Sequence, residues 1–245
     1  IQLRTLIKNS NILVLNGPIK FSKKTYKDFY KYNLIPVINS LNDLISWEKF
    51  FKKKNLIALH FDTGMNRLGI PSNDVLKIKK IIKKNKLLDL FCIMSHLASA
   101  DEPNNMINKV QKNIFDRIIK IFPKTLVSIS NSSAIFNLKG FNYSFVRTGG
   151  ALLGIDPNRK NEALKTVISV KAKVIQLRDL ENEPVKFIGY NSTYRVNSKI
   201  KIAVLGIGYA DGYPRNLSNL GYAIFKNKKL PIIGNISMDY MTIDI

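Results

Sequence analysis

The sequence predicts an α/β chain: an incomplete (β/α)8 barrel of TIM type, followed by a mostly β C-terminal domain. Three observations predict it. From Asn11 to Gly150, short apolar runs alternate with longer amphipathic stretches; after Thr166 the texture turns to alternating β-branched segments; and 245 residues with 45% hydrophobic content can bury a sizeable core. Six short runs read as doubly buried parallel strands, namely Ile12–Leu15, Ile35–Ile38, Ile57–Phe61, Phe91–Met94, Leu126–Ile129 and Tyr143–Val146. Between them, apolar residues at three and four spacing predict helices over Lys24–Tyr32, Leu41–Lys53, Asp74–Leu87 and Asn105–Phe122, with Asn42 and Asn73 as N-caps. A closed barrel needs eight βα units, so six that begin in mid-pattern imply two more ahead of Ile1. An open doubly wound sheet is the alternative. In the second part, Val167–Ile175, Ile200–Leu205 and Leu230–Ile233 read as strands, and a boundary near Leu164 divides the chain into 1–164 and 165–245.

Composition narrows the function classes. Lys and Arg total 39 against 17 Asp and Glu, a formal charge of +22, which raises nucleic acid or an anionic membrane as partners. The distribution argues against both. In the stretch from Asp74 to Lys84, Val75, Ile78 and Ile82 share one face while the lysines occupy the wet side, so the charge reads as a solvated surface. There is no apolar run of about 18 residues to span a bilayer, and the opening Ile1-Gln2-Leu3-Arg4 shows neither a charged n-region nor an apolar h-region. A cytoplasmic protein with no membrane and no nucleic-acid partner is expected. The single cysteine, Cys92, lies in the apolar run Leu90–Met94 and is expected to be a buried structural thiol, and no metal site is expected.

Barrel enzymes collect functional groups at the C-terminal ends of their strands, commonly with a phosphate site after the last two. The fifth run is followed by Asn131-Ser132-Ser133 and the sixth by Arg147-Thr148-Gly149-Gly150, a hydroxyl and glycine N–H groups that can approach phosphate oxygens. Either alone reads equally as a polar loop or a tight turn. The remaining strand ends are Asp62-Thr63-Gly64-Met65-Asn66-Arg67-Leu68-Gly69 and Ser95-His96-Leu97-Ala98-Ser99-Ala100-Asp101. Further on come Gly189-Tyr190-Asn191-Ser192-Thr193-Tyr194, Gly208-Tyr209-Ala210-Asp211-Gly212-Tyr213-Pro214-Arg215 and Gly234-Asn235-Ile236-Ser237-Met238-Asp239.

Together and in this order, these segments resemble the alanine racemase family over essentially the whole chain. The resemblance implies a pyridoxal 5'-phosphate enzyme that interconverts L- and D-alanine by a two-base mechanism, supplying D-alanine for peptidoglycan. Ser132, Gly149 and Gly150 would hold the cofactor phosphate and Arg147 would face the pyridine nitrogen. An arginine donates a hydrogen bond without giving up its proton, leaving that nitrogen unprotonated and the ring a weaker electron sink, which favours racemisation over transamination. Tyr190 would be the catalytic base on one face of the substrate, with the cofactor lysine on the other. A free phenol titrates near about 10, so such a base needs positive charge around it; His96 and Arg147 would supply the network. Arg67 and the backbone N–H of Met238 would bind the substrate carboxylate, and Tyr209 would line the entrance. The family completes its site across a homodimer.

The resemblance also implies departures. His60 stands where many members of the family have a lysine whose carbamate braces the substrate arginine, so Arg67 must be positioned differently. The cofactor lysine and a further phosphate-contacting tyrosine are expected outside these 245 residues, which would make the chain an interior fragment, inactive alone. The alternatives are an inactive remnant and a racemase of broader amino-acid range.

Overall fold

The computed structural model describes residues 1–50, 53–156, 164–197 and 199–245. They form two compact units, 1–168 and 169–245. Residues 51–52 of the helix expected over Leu41–Lys53 lie outside the described residues.

The first unit opens with helix α1 (Gln2–Leu6) and strand β1 (Ile12–Val14), followed by α2 (Lys23–Lys31), β2 (Leu34–Ile38), α3 (Leu41–Glu48), β3 (Asn55–His60), α4 (Val75–Lys84), β4 (Leu88–Met94), α5 (Met106–Ile121), β5 (Leu126–Ser128) and α6 (Ser132–Asn137). The five strands are parallel and lie in chain order β1-β2-β3-β4-β5. A doubly wound sheet reverses its order at a switch point. This sheet does not reverse, so it is an arc of a (β/α)8-type barrel.

Two-residue periodicity sorts the strand side chains. Ile38, Ile57, Leu59 and Ile93 face the helices, where they pack with Leu44, Trp47, Ile78, Phe115 and Ile118. Ile35, Val37, Ala58, Cys92 and Met94 form the other face, with Phe145 against them. Cys92 is fully buried, and burial pushes its thiol up to about 12, an inert structural group as expected.

Several sequence expectations need correction. Tyr143–Val146 is not a strand. It lies along β5, where Ser144 N donates to Val127 O at 3.0 Å, but Val127 N donates back to the Ser144 hydroxyl at 3.0 Å instead of to a backbone carbonyl. A side chain standing in for the main chain interrupts the ladder. The N-cap of α3 is Ser40, whose hydroxyl accepts from Asp43 N at 3.0 Å, while Asn42 lies inside the first turn. Asn73 belongs to a single 3₁₀ turn (Ser72–Asp74) that leads into α4 without a side-chain cap. Helix α3 ends at Glu48 and α4 at Lys84, short of the expected Lys53 and Leu87. Only the end of Val167–Ile175 is a strand.

The second unit contains β6 (Val174–Asp179), β7 (Phe187–Ile188), β8 (Tyr194–Arg195), β9 (Lys201–Leu205), β10 (Tyr222–Phe225), β11 (Lys228–Ile233) and β12 (Met241–Asp244). Five of these make an antiparallel sheet in the order β10-β11-β12-β9-β6, and β7 pairs with β8. Its cores are Ala203, Leu205, Ile232, Ile236, Met241 and Ile243, and Leu180, Ile188, Val196, Ile202 and Ile233. Among the described residues no helix is long and apolar enough to cross a membrane.

Candidate active site

The inner-face parity of the barrel strands runs on past their C-terminal ends. Ile35 and Val37 lead to Asn39, Ala58 to His60, and Cys92 and Met94 to His96. Three polar side chains therefore gather at the mouth, where barrel enzymes do their chemistry.

Arg147 holds the centre of this cluster. Nη1 donates to the Ser128 carbonyl at 3.0 Å and to the Ser128 hydroxyl at 2.6 Å, and Nη2 donates to the Ser95 carbonyl, with His96 Nδ1 at a long 3.5 Å. Its backbone N–H is anchored on Ser130 O at 3.0 Å. The planar fork is thus fixed by Ser128 of β5 and by Ser95, which directly follows β4, and Nε is the guanidinium position that no described residue occupies. Burial lowers the Arg147 pKa to about 10, so the group stays charged at neutral pH. Burial, and then the charges of Arg147 and Arg67, push His96 down to about 4. An uncharged imidazole facing an arginine N–H accepts with Nδ1 and carries its proton on Nε2.

Ser132 opens α6, whose cap is Asn131 accepting from Ala134 N at 3.0 Å. The Ser132 hydroxyl oxygen accepts from Gly149 N at 2.9 Å and Ala151 N at 3.3 Å. It keeps its own hydrogen to give outward. A Cβ at Gly149 would meet nothing within 4 Å, so open space adjoins this cup, and Gly150 N–H makes no bond among the described residues. A hydroxyl donor, a free N–H and open space beside them suit a phosphate group.

The loop carrying Arg67 is short and pinned. Asp62 Oδ1 accepts from Gly64 N at 2.8 Å and Met65 N at 2.9 Å, and Ile70 N returns to His60 O at 2.7 Å. Gly69 has φ of +133°, and a Cβ there would lie 2.7 Å from Asp62 N, so only glycine closes this loop without strain. Arg67 itself is exposed and makes no hydrogen bond or ion pair among the described residues.

In the second unit the structure brings Tyr190, Tyr209 and Met238 to one edge. Asn235 Nδ2 donates to Tyr190 O at 2.9 Å, Tyr209 N to Ser237 O at 3.0 Å, and Ala210 N to Met238 O at 2.9 Å. Tyr190 is 67% exposed and Met238 54%. The Met238 N–H is unbonded among the described residues.

Sequence reasoning missed the buried polar scaffold beneath the first cluster. Gln111 of α5 is fully buried; its Oε1 accepts from Ala98 N at 2.9 Å, and its Nε2 donates to His96 O at 2.9 Å and Thr63 Oγ1 at 3.3 Å. Thr63 and Ser95 hydroxyls meet at 2.7 Å. One signal could have found it. Gln111 and Asn108 lie on the stripe of Phe115 and Ile118, so helical spacing places both polar groups inward.

The first unit is a barrel arc with an arginine-centred polar cluster and a hydroxyl and N–H cup at its mouth, and the second is an antiparallel β unit carrying two tyrosines at one edge, which makes this a chain of the barrel-plus-β class. Residues 1–157 match the alanine racemase N-terminal domain and residues 167–245 the alanine racemase C-terminal domain. The alanine racemase of Rickettsia canadensis (strain McKiel) is 38% identical over 238 residues, covering 96% of this chain and 64% of that protein. That of Brucella abortus (strain 2308) is 33% identical over 254 residues, covering 97% and 63%. The alanine racemase from Bartonella henselae, solved with covalently bound pyridoxal phosphate, shares 34% identity at a TM-score of 0.85 over 99% of this chain and 68% of that one. The biosynthetic alanine racemase from Pseudomonas aeruginosa shares 25% identity at a TM-score of 0.88, again over 99% and 68%. The chain belongs to the alanine racemase family. It spans somewhat less than two thirds of the length of the curated relatives it matches.

Proposed function

We propose that the protein containing this chain is a pyridoxal 5'-phosphate-dependent alanine racemase of the cytoplasm, working as a homodimer and supplying D-alanine for peptidoglycan. The observation that carries the reading is the arginine-centred mouth: a charged guanidinium whose fork is fixed on two strands, beside a hydroxyl and N–H cup. When bound, the cofactor would supply an electron sink that acidifies the α-carbon of an amino acid.

The chain's own residues have the following proposed tasks. Ser132, with Gly149 and Gly150, binds the cofactor phosphate through its outward hydroxyl and the free Gly150 N–H. Arg147, fixed by Ser128 and Ser95, offers its unoccupied Nε–H to the pyridine nitrogen and, being a permanent cation, keeps it from taking a proton. Arg67 and the Met238 N–H bind the alanine carboxylate; a planar guanidinium matches a carboxylate in bidentate fashion. Tyr190 removes or returns the α-proton on one face of the bound amino acid, helped by the positive field of Arg147 and by the Nε2–H of His96. Tyr209 lines the entrance. The tyrosine-bearing edge of one subunit serves the barrel mouth of the other.

The test is turnover. The polypeptide carrying this chain, supplied with pyridoxal phosphate, should racemise alanine, and serine or lysine far more slowly. Absence of racemisation at saturating cofactor would reject the reading; serine or lysine turning over faster than alanine would replace it with a broader racemase.

A further inference from the structure

The two histidines of the chain stand side by side at the barrel mouth, and their hydrogen-bond partners make them chemically opposite. Asn39 is the key. The residue is 5% exposed, and Nδ2 lies 3.0 Å from Leu15 O and 3.2 Å from Val37 O. Carbonyl oxygens only accept, so the amide must present its NH2 to them and its Oδ1 to the other side. On that side, 2.8 Å away, is His60 Nδ1. Since Oδ1 also only accepts, Nδ1 must carry the imidazole proton, and a neutral ring is then bare at Nε2. His96 has the reverse arrangement, with Nδ1 facing Arg147 Nη2 and the proton left on Nε2.

His60 Nε2 is thus a fixed, uncharged acceptor among cations, and among the described residues it has no donor. Arg67, which makes no hydrogen bond among the described residues and whose charge acts on His60, sits on a loop that leaves His60 and returns to it through the Ile70 N to His60 O bond. We propose that Asn39 locks His60 in the Nδ1–H form so that Nε2 seats the Arg67 guanidinium, making His60 and Asn39 positioning residues for Arg67. The proposal rests on the carboxylate-binding role of Arg67 in the function proposed above.

Burial, followed by the charges of Arg147, His96 and Arg67 against an opposing pull from Asp62, lowers His60 to about 4, so it is neutral and acceptor-competent at working pH. Neutrality matters, because an imidazolium would repel a guanidinium.

Nitrogen-detected imidazole spectra of the full ¹⁵N-labelled chain test this without cofactor, substrate or turnover, so its failure is separable from failure of the racemase reading. With His60→Gln assigning the signals, His60 should show a protonated Nδ1 and a bare Nε2 at pH 7, and His96 the converse; a His60 ring protonated on Nε2 would overturn the lock. His60 should remain neutral at pH 5, and titration near the ordinary value of about 6.5 would also overturn it. Arg67→Ala, an exposed change that spares the fold, should move the His60 Nε2 signal further toward that of an unbonded lone pair; no movement overturns the seat. Asn39→Leu should let His60 redistribute toward the other tautomer, and if that variant does not fold, the wild-type and Arg67→Ala spectra still decide. In the cofactor-loaded protein, His60→Leu should weaken binding of propionate, a simple carboxylate probe, by about tenfold. His60→Gln, which can donate to Asn39 and accept from Arg67, should recover most of that loss.

Discussion

His60 and His96 give the first unit a pH dependence in the weakly acidic range. Both are depressed to about 4, by burial first and by Arg147 next, whereas an unfolded histidine titrates near about 6.5. Between these values the unfolded chain binds more protons than the folded one, so stability is full above about pH 6.5 and declines as pH falls toward about 4. The denaturation midpoint should drop between pH 7 and pH 5, and the drop should shrink in a His60→Gln, His96→Gln double variant; equal pH dependence in both proteins would contradict this. Gly208 is the other decisive residue. A Cβ there would lie 2.2 Å from Met238 O, against backbone that cannot step aside, so Gly208→Ala should cost about 1–3 kcal/mol and loosen Tyr209 from Ser237. Chemical denaturation of that variant checks the size of the loss.

At the scale of elements, α5 supports the loop that carries His96. Gln111 is bonded to both sides of Leu97, through His96 O and Ala98 N, and touches Thr63, which is bonded to Ser95. Gln111→Leu keeps the volume but removes the part-buried partner of the Ala98 N–H and of the His96 carbonyl, a loss of about 1–3 kcal/mol, measurable by denaturation, with His96 losing its single conformation in the imidazole spectra. The end of α5 is tied to the segment after β5 by Asp116, which accepts from the Tyr143 hydroxyl and pairs with Lys112 at 2.8 Å. This explains how much of the elements was legible. The apolar cores of β1 to β5 and of the four long helices follow from 2.0 and 3.6 periodicity, which depends on the residues themselves. Caps and the interrupted sixth strand were not legible, because Ser40 and Ser144 act through hydroxyls whose partners are chosen only once the chain has folded. Strand ends behaved the same way: His96, Arg147 and Ser132 were visible as motif residues, while Asn39, an isolated polar residue after an apolar run, carried no motif and gained its meaning only from Leu15, Val37 and His60.

At the scale of the whole molecule, a formal charge of +22 sets lysines against one another over most of the surface. The described ion pairs are largely exposed and add little. Self-repulsion should therefore weaken the compact state at low ionic strength, and the thermal midpoint should rise from 10 to 200 mM salt on the order of the screening of charges about 10 Å apart; a fall with salt would show that attractive pairs dominate instead. The central claim is that Tyr190 exchanges the α-proton on one face only. The most direct measurement is deuterium incorporation from D2O into each enantiomer of alanine, comparing the cofactor-loaded protein with Tyr190→Phe. The account predicts that exchange into one enantiomer falls by about 10²–10⁴-fold while the other continues. Undiminished exchange into both would contradict it.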